Sequence, residues 1–410
     1  MLKETIVDKA LYKVKKLIPK SVFNFFQPAY HSLLAYSGAV YYGFPSRDMK
    51  VIGVTGTKGK STVVFMVSKI LESGGNKVAA IGSLGFKIGE KEWPNTLKMT
   101  MPGRFRLQKF LYEAKKAGCK YVVLEVTSEG IKQRRHVGIT FDCAVFINLH
   151  REHLESHGSF ENYYKAKQEL FLLTKNIHVI NSEDEHVKLF GDFPSKQKIF
   201  YGFKKGDLVP DKINLNDKGV SFELYGTSFN THLAGQFNVM NFLAALSVGV
   251  MYGFDLPGMK PVLESIKSIP GRMEIIQREP FAVVVDYAHT PDSLEAVYKS
   301  LRQRLDGPDA SIGARTQTSH RLVCVLGAAG GGRDKWKRPE FGKIAAKYCD
   351  EIILTNEDPY EENPASILKE IEAGFSQAPN HKLQITKILN RKEAIKRALT
   401  VAQKGDTVII

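Results

Sequence analysis

From residue 49 onward, short apolar runs alternate with segments whose apolar positions recur at helical spacing. Met49–Val54, Val78–Ile81, Tyr121–Val126, Cys143–Asn148 and Ile177–Asn181 have strand length, and helical patterns lie around 104–117 and 159–174. Strands separated by helices predict a parallel sheet covered by helices on both faces. Residues 212–233 alternate over short runs with turn residues, which predicts a small β element. Helices over about 238–252 and 260–268 follow, and Pro270-Gly271 then breaks the pattern. A second strand–helix series begins there, with Phe281–Tyr287, Arg321–Leu326, Glu351–Thr355 and Thr407–Ile410 as its strands and the polar stretch 306–320 as a surface loop. The expected division is a helical extension over 1–48, an α/β domain over 49–269 and a second α/β domain over 270–410.

The extension is the one part with a different pattern. Residues 1–20 hold six lysines, with Val7, Leu11, Val14 and Ile18 at helical spacing, whereas residues 21–46 hold no charge and eight aromatics and are interrupted by Pro28. Asn24, Gln27, His31 and Ser32 dilute the apolar run, and no small-residue cleavage site follows it. A helix packed on the neighbouring domain is expected, with peripheral contact of residues 1–45 with a membrane as the alternative.

Composition narrows the function classes. With 43% hydrophobic and 25% charged residues among 410, the chain reads as a soluble globular protein of two or three domains. A net charge of +15 suits polyanionic small ligands. No arginine-rich tract or aromatic–basic repeat points to nucleic acid, and none is expected as a partner. Cys119, Cys143, Cys324 and Cys349 are scattered through apolar segments without metal-ligand spacing, so buried thiols in a reducing cytoplasm are expected.

The densest chemistry begins at residues 53–62, Gly-Val-Thr-Gly-Thr-Lys-Gly-Lys-Ser-Thr, between an apolar strand and a helical pattern. A glycine turn feeding a helix start presents backbone N–H groups to an anion. Gly56, Thr57, Gly59 and Thr62 would form this cradle, Lys60 would reach the terminal phosphates and Ser61 would offer its hydroxyl to Mg²⁺. Val54 stands where the longer form of the loop has its first glycine. Glu125 closes an apolar strand beside this loop, as a Mg²⁺ ligand would. Residues 148–158 then bring three histidines and two glutamates into eleven positions after another strand. That density suggests metal or phosphate work, without zinc spacing. In Tyr163–Phe171, periodicity alone gives an amphipathic helix with Tyr163, Ala166, Leu170 and Phe171 inward, and Lys167 would be read as a solvated lysine.

The order of these segments resembles the Mur ligases, ATP-dependent amide-forming enzymes of peptidoglycan precursor synthesis. The likeness runs from about residue 49 to the end. It rests on Gly56-Thr-Lys-Gly-Lys-Ser61, Glu125-Val-Thr-Ser128, Asn148-Leu-His-Arg-Glu-His153, Ala166-Lys167-Gln-Glu-Leu-Phe171, Gly235-Gln-Phe-Asn-Val-Met-Asn241, Gly271-Arg272-Met-Glu274 and Asp286-Tyr-Ala-His289-Thr-Pro-Asp-Ser-Leu294. The last of these, with Gly330-Gly-Gly-Arg333-Asp-Lys-Trp-Lys-Arg338-Pro339, is similar to the branch that adds the third peptide residue to a UDP-N-acetylmuramoyl-dipeptide. The resemblance implies a central P-loop ATPase domain with a parallel sheet and a Rossmann-like C-terminal α/β domain. It also implies a ligase acting through an acyl phosphate, with ATP and two Mg²⁺ ions.

By the same resemblance, Lys60, Lys167, His153 and Arg272 are catalytic, and Lys167 is carbamylated. Ser61 and Glu125 hold one Mg²⁺, and His153 and Lys167 help hold the second. Asn241 lies on the adenine side, Asp286 at the ribose and His289 near the nucleotide. Thr100, Thr127, Ser128, Gln133 and Arg135 fall on the muramoyl-peptide side, and Arg333, Arg338 and Glu357-Asp358-Pro359-Tyr360 on the amino-acid side. A cytoplasmic monomer acting on a UDP-muramoyl-peptide and an amino acid is expected.

The chain departs from the pattern in places. Only 48 residues precede the ATPase core, fewer than the family's UDP-binding domain needs. Thr127-Ser128-Glu129 replaces Ser-Ser-His, and Thr100-Met101-Pro102 replaces Thr-Thr-Pro. Tyr360 stands where the diaminopimelate form has arginine, and the Gly-Lys-Gly-x-Glu turn of relatives has no counterpart before Ile410. The alternatives are a ligase like folylpolyglutamate synthase and an ATP-binding homologue without catalysis.

Overall fold

The computed structural model describes residues 20–97, 99–152, 154–216, 219–233, 235–306, 320–331, 334–377 and 383–410; within these, side chains are described from Gln27 onward, apart from Leu154, Glu155, Asn216 and Gln377. His153, Arg333, residues 307–319 of the expected loop and the basic pattern of residues 1–19 lie outside the described residues.

The first sheet has eight strands: β1 (Lys50–Thr55), β2 (Val78–Gly82), β3 (Gly85–Ile88), β4 (Lys91–Trp93), β5 (Tyr121–Glu125), β6 (Cys143–Phe146), β7 (Ile177–Asn181) and β8 (Gln197–Tyr201). Their order is β4-β3-β2-β5-β1-β6-β7-β8. All pairings from β2 to β8 are parallel, and β3 and β4 extend the edge antiparallel. Neighbours in β1 point to opposite faces, as a pleated strand requires. Ile52 and Val54 enter a core with the helices Lys60–Ser73 and Gln236–Met251, whereas Val51 packs opposite with Arg104–Lys116 and Phe160–Leu173. The central strand is thus buried on both sides, and its run of apolar residues follows from that. Because β5, β1 and β6 are adjacent and parallel, Glu125, the loop after Thr55 and the segment after Phe146 share one rim.

Residues 211–231 form an antiparallel meander, β9 (Asp211–Asn216), β10 (Gly219–Leu224) and β11 (Thr227–Thr231). The C-terminal sheet contains β12 (Glu274–Gln277), β13 (Ala282–Val285), β14 (Leu322–Leu326), β15 (Glu351–Leu354), β16 (Gln384–Lys387) and β17 (Thr407–Ile409), in the order β12-β13-β17-β14-β15-β16. Only β12 is antiparallel. The last strand fills the centre of the sheet between β13 and β14.

Two sequence expectations need correction. Pro28 does not interrupt the N-terminal segment: one continuous helix spans Lys20–Tyr41 with the proline inside it. A proline inside a helix forfeits its own hydrogen bond to the preceding turn, and the turns on either side carry the helix through. Cys324 and Cys349 are not thiols but a disulfide, whereas Cys119 and Cys143 are free and buried. The helix Lys337–Tyr348 crosses back from β14 to the start of β15 and so sets Cys349 beside Cys324, at a Cα–Cα distance of 6.2 Å. A separation of 25 residues carried no sign of that return. Among the described residues no helix is long and apolar enough to cross a membrane.

Candidate active site

The phosphate loop leaves β1 at Thr55 and enters the helix Lys60–Ser73, with Gly59 as N-cap at φ 81°. That left-handed backbone favours glycine, and a Cβ there would also stand 2.5 Å from Asn241 Oδ1. Lys60 Nζ reaches back over the loop to Thr57 O at 3.0 Å. Ser61 Oγ donates to Glu125 Oε2 at 2.9 Å, so the hydroxyl and carboxylate named as Mg²⁺ ligands stand together. Glu125 is buried and further held by Ser83, whose N–H donates to Oε2 at 2.8 Å and whose hydroxyl donates to Oε1 at 3.3 Å.

Asn148 braces the loop from the end of β6. Its Oδ1 accepts from the N–H groups of Thr57 at 3.0 Å and Lys58 at 2.9 Å, and its Nδ2 donates to Lys58 O at 3.2 Å. Thr57 Oγ1 meets Tyr163 Oη at 2.9 Å and accepts from the His150 N–H at 2.9 Å. These bonds tie β1, β6 and the helix Phe160–Leu173 into one floor.

Lys167 rises from that helix into the floor. It is 2% exposed, against the solvated lysine that periodicity alone suggests, and its Nζ donates to Gly56 O at 2.7 Å. Burial drives its pKa well down and the Lys60 charge adds to that, with Glu152 and Glu125 opposing. Burial therefore shifts the amine toward its neutral form. Tyr163, Leu170 and Phe171 are buried as the amphipathic pattern requires, whereas Ala166 is half-buried.

The C-terminal domain closes over this rim. Arg272 Nη2 donates to Ser61 Oγ at 3.3 Å, while its guanidinium lies 4.9 Å from the Tyr287 ring centroid. Lys58 Nζ pairs with Asp292 at 3.3 Å. Buried Glu152 lies 3.5 Å from both Lys337 Nζ and His289 Nε2, and His289 Nδ1 bonds Tyr287 O at 2.9 Å. Asp286 Oδ2 accepts the Met273 N–H at 2.7 Å; burial raises its pKa, and the Met273 bond and Arg272 oppose that rise. Asn241 Nδ2 donates to Asn238 Oδ1 at 3.0 Å beside the loop.

The residues expected on the acceptor side are also neighbours. Thr100 Oγ1 meets Ser83 Oγ at 3.0 Å, which links it to Glu125. Arg135 donates to Met101 O and to Gln133 Oε1. Ser128 Oγ lies 3.2 Å from His157 Nε2, and Thr127 caps the helix Ser128–Lys132 by accepting from Gly130 N. On the amino-acid side, Gly330 N donates to Asp358 O at 2.8 Å, which docks the Glu357–Tyr360 loop on the segment after β14. Pro359 follows Asp358 there, and Tyr360 is half exposed at φ 52°. Arg338 is not brought to this rim: it is buried, and its guanidinium is taken up by Glu362 at 3.0 Å and Glu370 at 2.8 Å.

A cavity opens at the carboxyl ends of β13, β14 and β17, where an open α/β sheet receives ligands. Asp286, His289, Glu357 and Arg391 line it. Sequence reading passed over Arg391, Asn148's bracing role, Ser83 and the Lys58–Asp292 pair. A polar residue directly after an apolar strand was the available signal for Asn148; Arg391, at the start of the helix Arg391–Val401, offered none.

Comparison with known proteins agrees with this architecture. Residues 54–249 match the Mur ligase middle domain, and residues 271–410 match the Mur ligase glutamate ligase domain. The UDP-N-acetylmuramoyl-L-alanyl-D-glutamate–2,6-diaminopimelate ligase 1 of Clostridium acetobutylicum is 36% identical over 385 residues, covering 92% of this chain and 75% of the relative. A solved ligase of the same activity is similar with a TM-score of 0.60 at 31% identity, over 88% of this chain and 72% of that one. Mycobacterium tuberculosis folylpolyglutamate synthase, solved with ADP and AMPPCP, shares the fold at a TM-score of 0.71 and 16% identity, over 92% of each chain.

Proposed function

This chain belongs to the Mur ligase family, and on that premise we propose that it uses ATP to join an amino acid to the peptide of a UDP-N-acetylmuramoyl-peptide, a step of peptidoglycan synthesis. The observation that carries the reading is the convergence of Lys60, the Ser61–Glu125 pair, buried Lys167 and Arg272 of the second domain on one rim. A carboxylate oxygen of the acceptor attacks the γ-phosphorus, and ADP leaves. The amine of the amino acid then adds to the acyl carbon, and phosphate departs with the oxygen that came from the acceptor. Negative charge grows on phosphate oxygens throughout, so Lys60 and Arg272 act by stabilising it in place. Domain closure keeps water from the acyl phosphate.

The donor set fits magnesium, a hard cation that takes hydroxyl and carboxylate oxygens. Ser61 and Glu125 would hold one ion, and His153 with carbamylated Lys167 the second. Bound there, the ions would supply Lewis-acid neutralisation of phosphate charge. Among the described residues no three histidine, cysteine or acidic side chains gather into a metal-binding group. A carbamate on Lys167 would add anionic oxygens to those of Glu125 and Glu152, and only a neutral amine can add to CO₂, the direction in which burial shifts this lysine.

Asn241, Asp286 and His289 serve the nucleotide. Thr100, Thr127, Ser128, Gln133 and Arg135 face the muramoyl-peptide. Arg333 and the Glu357–Tyr360 loop serve the amino acid, for which Glu357 and Arg391 offer an ammonium acceptor and a carboxylate donor. With Tyr360 in the loop, a second substrate carboxylate has no arginine there, so lysine and diaminopimelate both belong in the test. The working division is 1–48, 49–269 and 270–410. The protein acts in the cytoplasm as a monomer, in support of the wall that sets cell shape and division, and residues 1–45 touch a membrane peripherally. Incubation with Mg-ATP, bicarbonate, UDP-muramoyl-dipeptide and a panel of amino acids should release phosphate and yield one new product mass. Phosphate release that no amino acid stimulates would overturn the reading.

A further inference from the structure

The helix Lys20–Tyr41 is apolar on two faces of different character. Its inward face carries His31, Ala35, Gly38 and Ala39, all buried. Gly38 allows the close approach: a Cβ there would stand 3.1 Å from Phe105 of the helix Arg104–Lys116. The larger apolar side chains turn the other way, with Leu33 69%, Tyr36 53%, Val40 54% and Tyr41 73% exposed. A helix that is apolar all round is normally covered all round. Among the described residues the bulky half has no cover.

The patch continues onto the neighbouring helix. Phe105, Lys109, Tyr112 and Lys116 are exposed at successive i, i+4, i+7 and i+11 positions of Arg104–Lys116, an aromatic and basic stripe. Tyr41 and Tyr42 each lie 5.6 Å from the Phe105 ring, and Tyr42 lies 5.4 Å from Tyr112, so the two helices present one aromatic surface. The sequence that leads into this helix is basic: residues 1–20 hold six lysines against Glu4 and Asp8.

We infer that this surface docks on an anionic lipid bilayer, with Leu33, Tyr36, Val40 and Tyr41 in the headgroup region, Lys109 and Lys116 beside the lipid phosphates, and the net positive charge of the preceding sequence adding to the attraction. Tyrosines favour that depth because one end of the ring is apolar and the other polar. Neither described helix can cross a bilayer, so the mode is lying on the surface rather than spanning. Lys109 is paired with exposed Glu113 at 3.7 Å, but Lys116 would still meet its own equivalent if a second copy paired twofold on this face, so a second copy fits less well. The inference deepens the membrane part of the proposed function and is independent of the ligase chemistry.

The full chain, mixed with vesicles of phosphatidylglycerol and phosphatidylcholine, should sediment with them. It should partition on the order of ten-fold less onto phosphatidylcholine alone, and less again as salt rises from about 0.1 M to about 0.5 M. The variant Leu33→Glu/Val40→Glu changes only exposed positions. It should keep the wild-type melting curve and lose on the order of ten-fold in partitioning. Wild type remaining in the supernatant, or the double variant sedimenting equally, would overturn the inference. So would a lipid-free dimer that the double variant splits, since the cover would then be a second copy. Ligase turnover without lipid reads the chemistry separately, so either failure is recognisable alone.

Discussion

Lys167 shows how one side chain is set for a task that its ordinary form would oppose. A lysine buried at the phosphate floor beside Lys60 is costly as an ammonium, and a shift toward neutrality would open the route to the proposed carbamate. Lys167→Arg keeps a cation of similar length but cannot be carbamylated. It should fold and still lose ligation by on the order of a hundred-fold or more, and wild-type turnover should fall in CO₂-depleted buffer and recover with bicarbonate. Steady-state kinetics with and without bicarbonate check both. Asp286 gives a pH-dependent counterpart. Its raised pKa means the native state holds its proton more tightly than the unfolded chain. Stability is therefore lost as pH rises from the ordinary aspartate value through the raised one. Asp286→Asn should melt higher than wild type at neutral pH, with the advantage shrinking as pH falls toward 4, while its KM for ATP rises. Neither role was legible from periodicity. Lys167 reads as a surface lysine until the whole motif around it is matched, and Arg338, basic and close to the site in sequence, is consumed by Glu362 and Glu370.

Elements explain why the loop holds its shape before any anion arrives. Two of its N–H groups are bound by one Asn148 side chain, so Asn148→Ala leaves both without that acceptor. Each lost bond of this kind costs about 1–3 kcal/mol, and the KM for ATP should rise on the order of ten-fold or more with a smaller change in kcat, which initial rates at varied ATP would show. The strands that order this rim were plain in the sequence because two-sided burial writes a continuous apolar run, as in β1, β5, β6 and β7. The strands that escaped notice, β3, β4, β8, β12 and β16, lie at sheet edges or, for β3, next to one. β4 and β16 are short and largely exposed, so tertiary pairing rather than composition makes them strands. The meander β9–β11 was legible from alternation, while the disulfide between Cys324 and Cys349 depended on where a crossover helix returns.

At the scale of the molecule, the two sheets meet through charge. Lys58–Asp292 is largely exposed at the aspartate and contributes at most about 1 kcal/mol, so Asp292→Asn should shift the KM for ATP by no more than roughly two- to five-fold. Glu152 is 2% exposed and faces both Lys337 and His289 across the interface. Removal of Lys337 takes a cation away from a buried carboxylate at the interface, and Lys337→Ala should slow turnover at saturating ATP more than Asp292→Asn does, by on the order of ten-fold. Scattering profiles with and without nucleotide should show that variant closing less. Closure matters because the account rests on an acyl phosphate that water would destroy. The most direct measurement follows one oxygen atom. With the reacting carboxylate of UDP-muramoyl-dipeptide labelled with oxygen-18, mass analysis of the phosphate released with ATP and the amino acid should find one labelled oxygen for each amide formed. Unlabelled phosphate accompanying amide product would show that the carboxylate never attacks the γ-phosphorus.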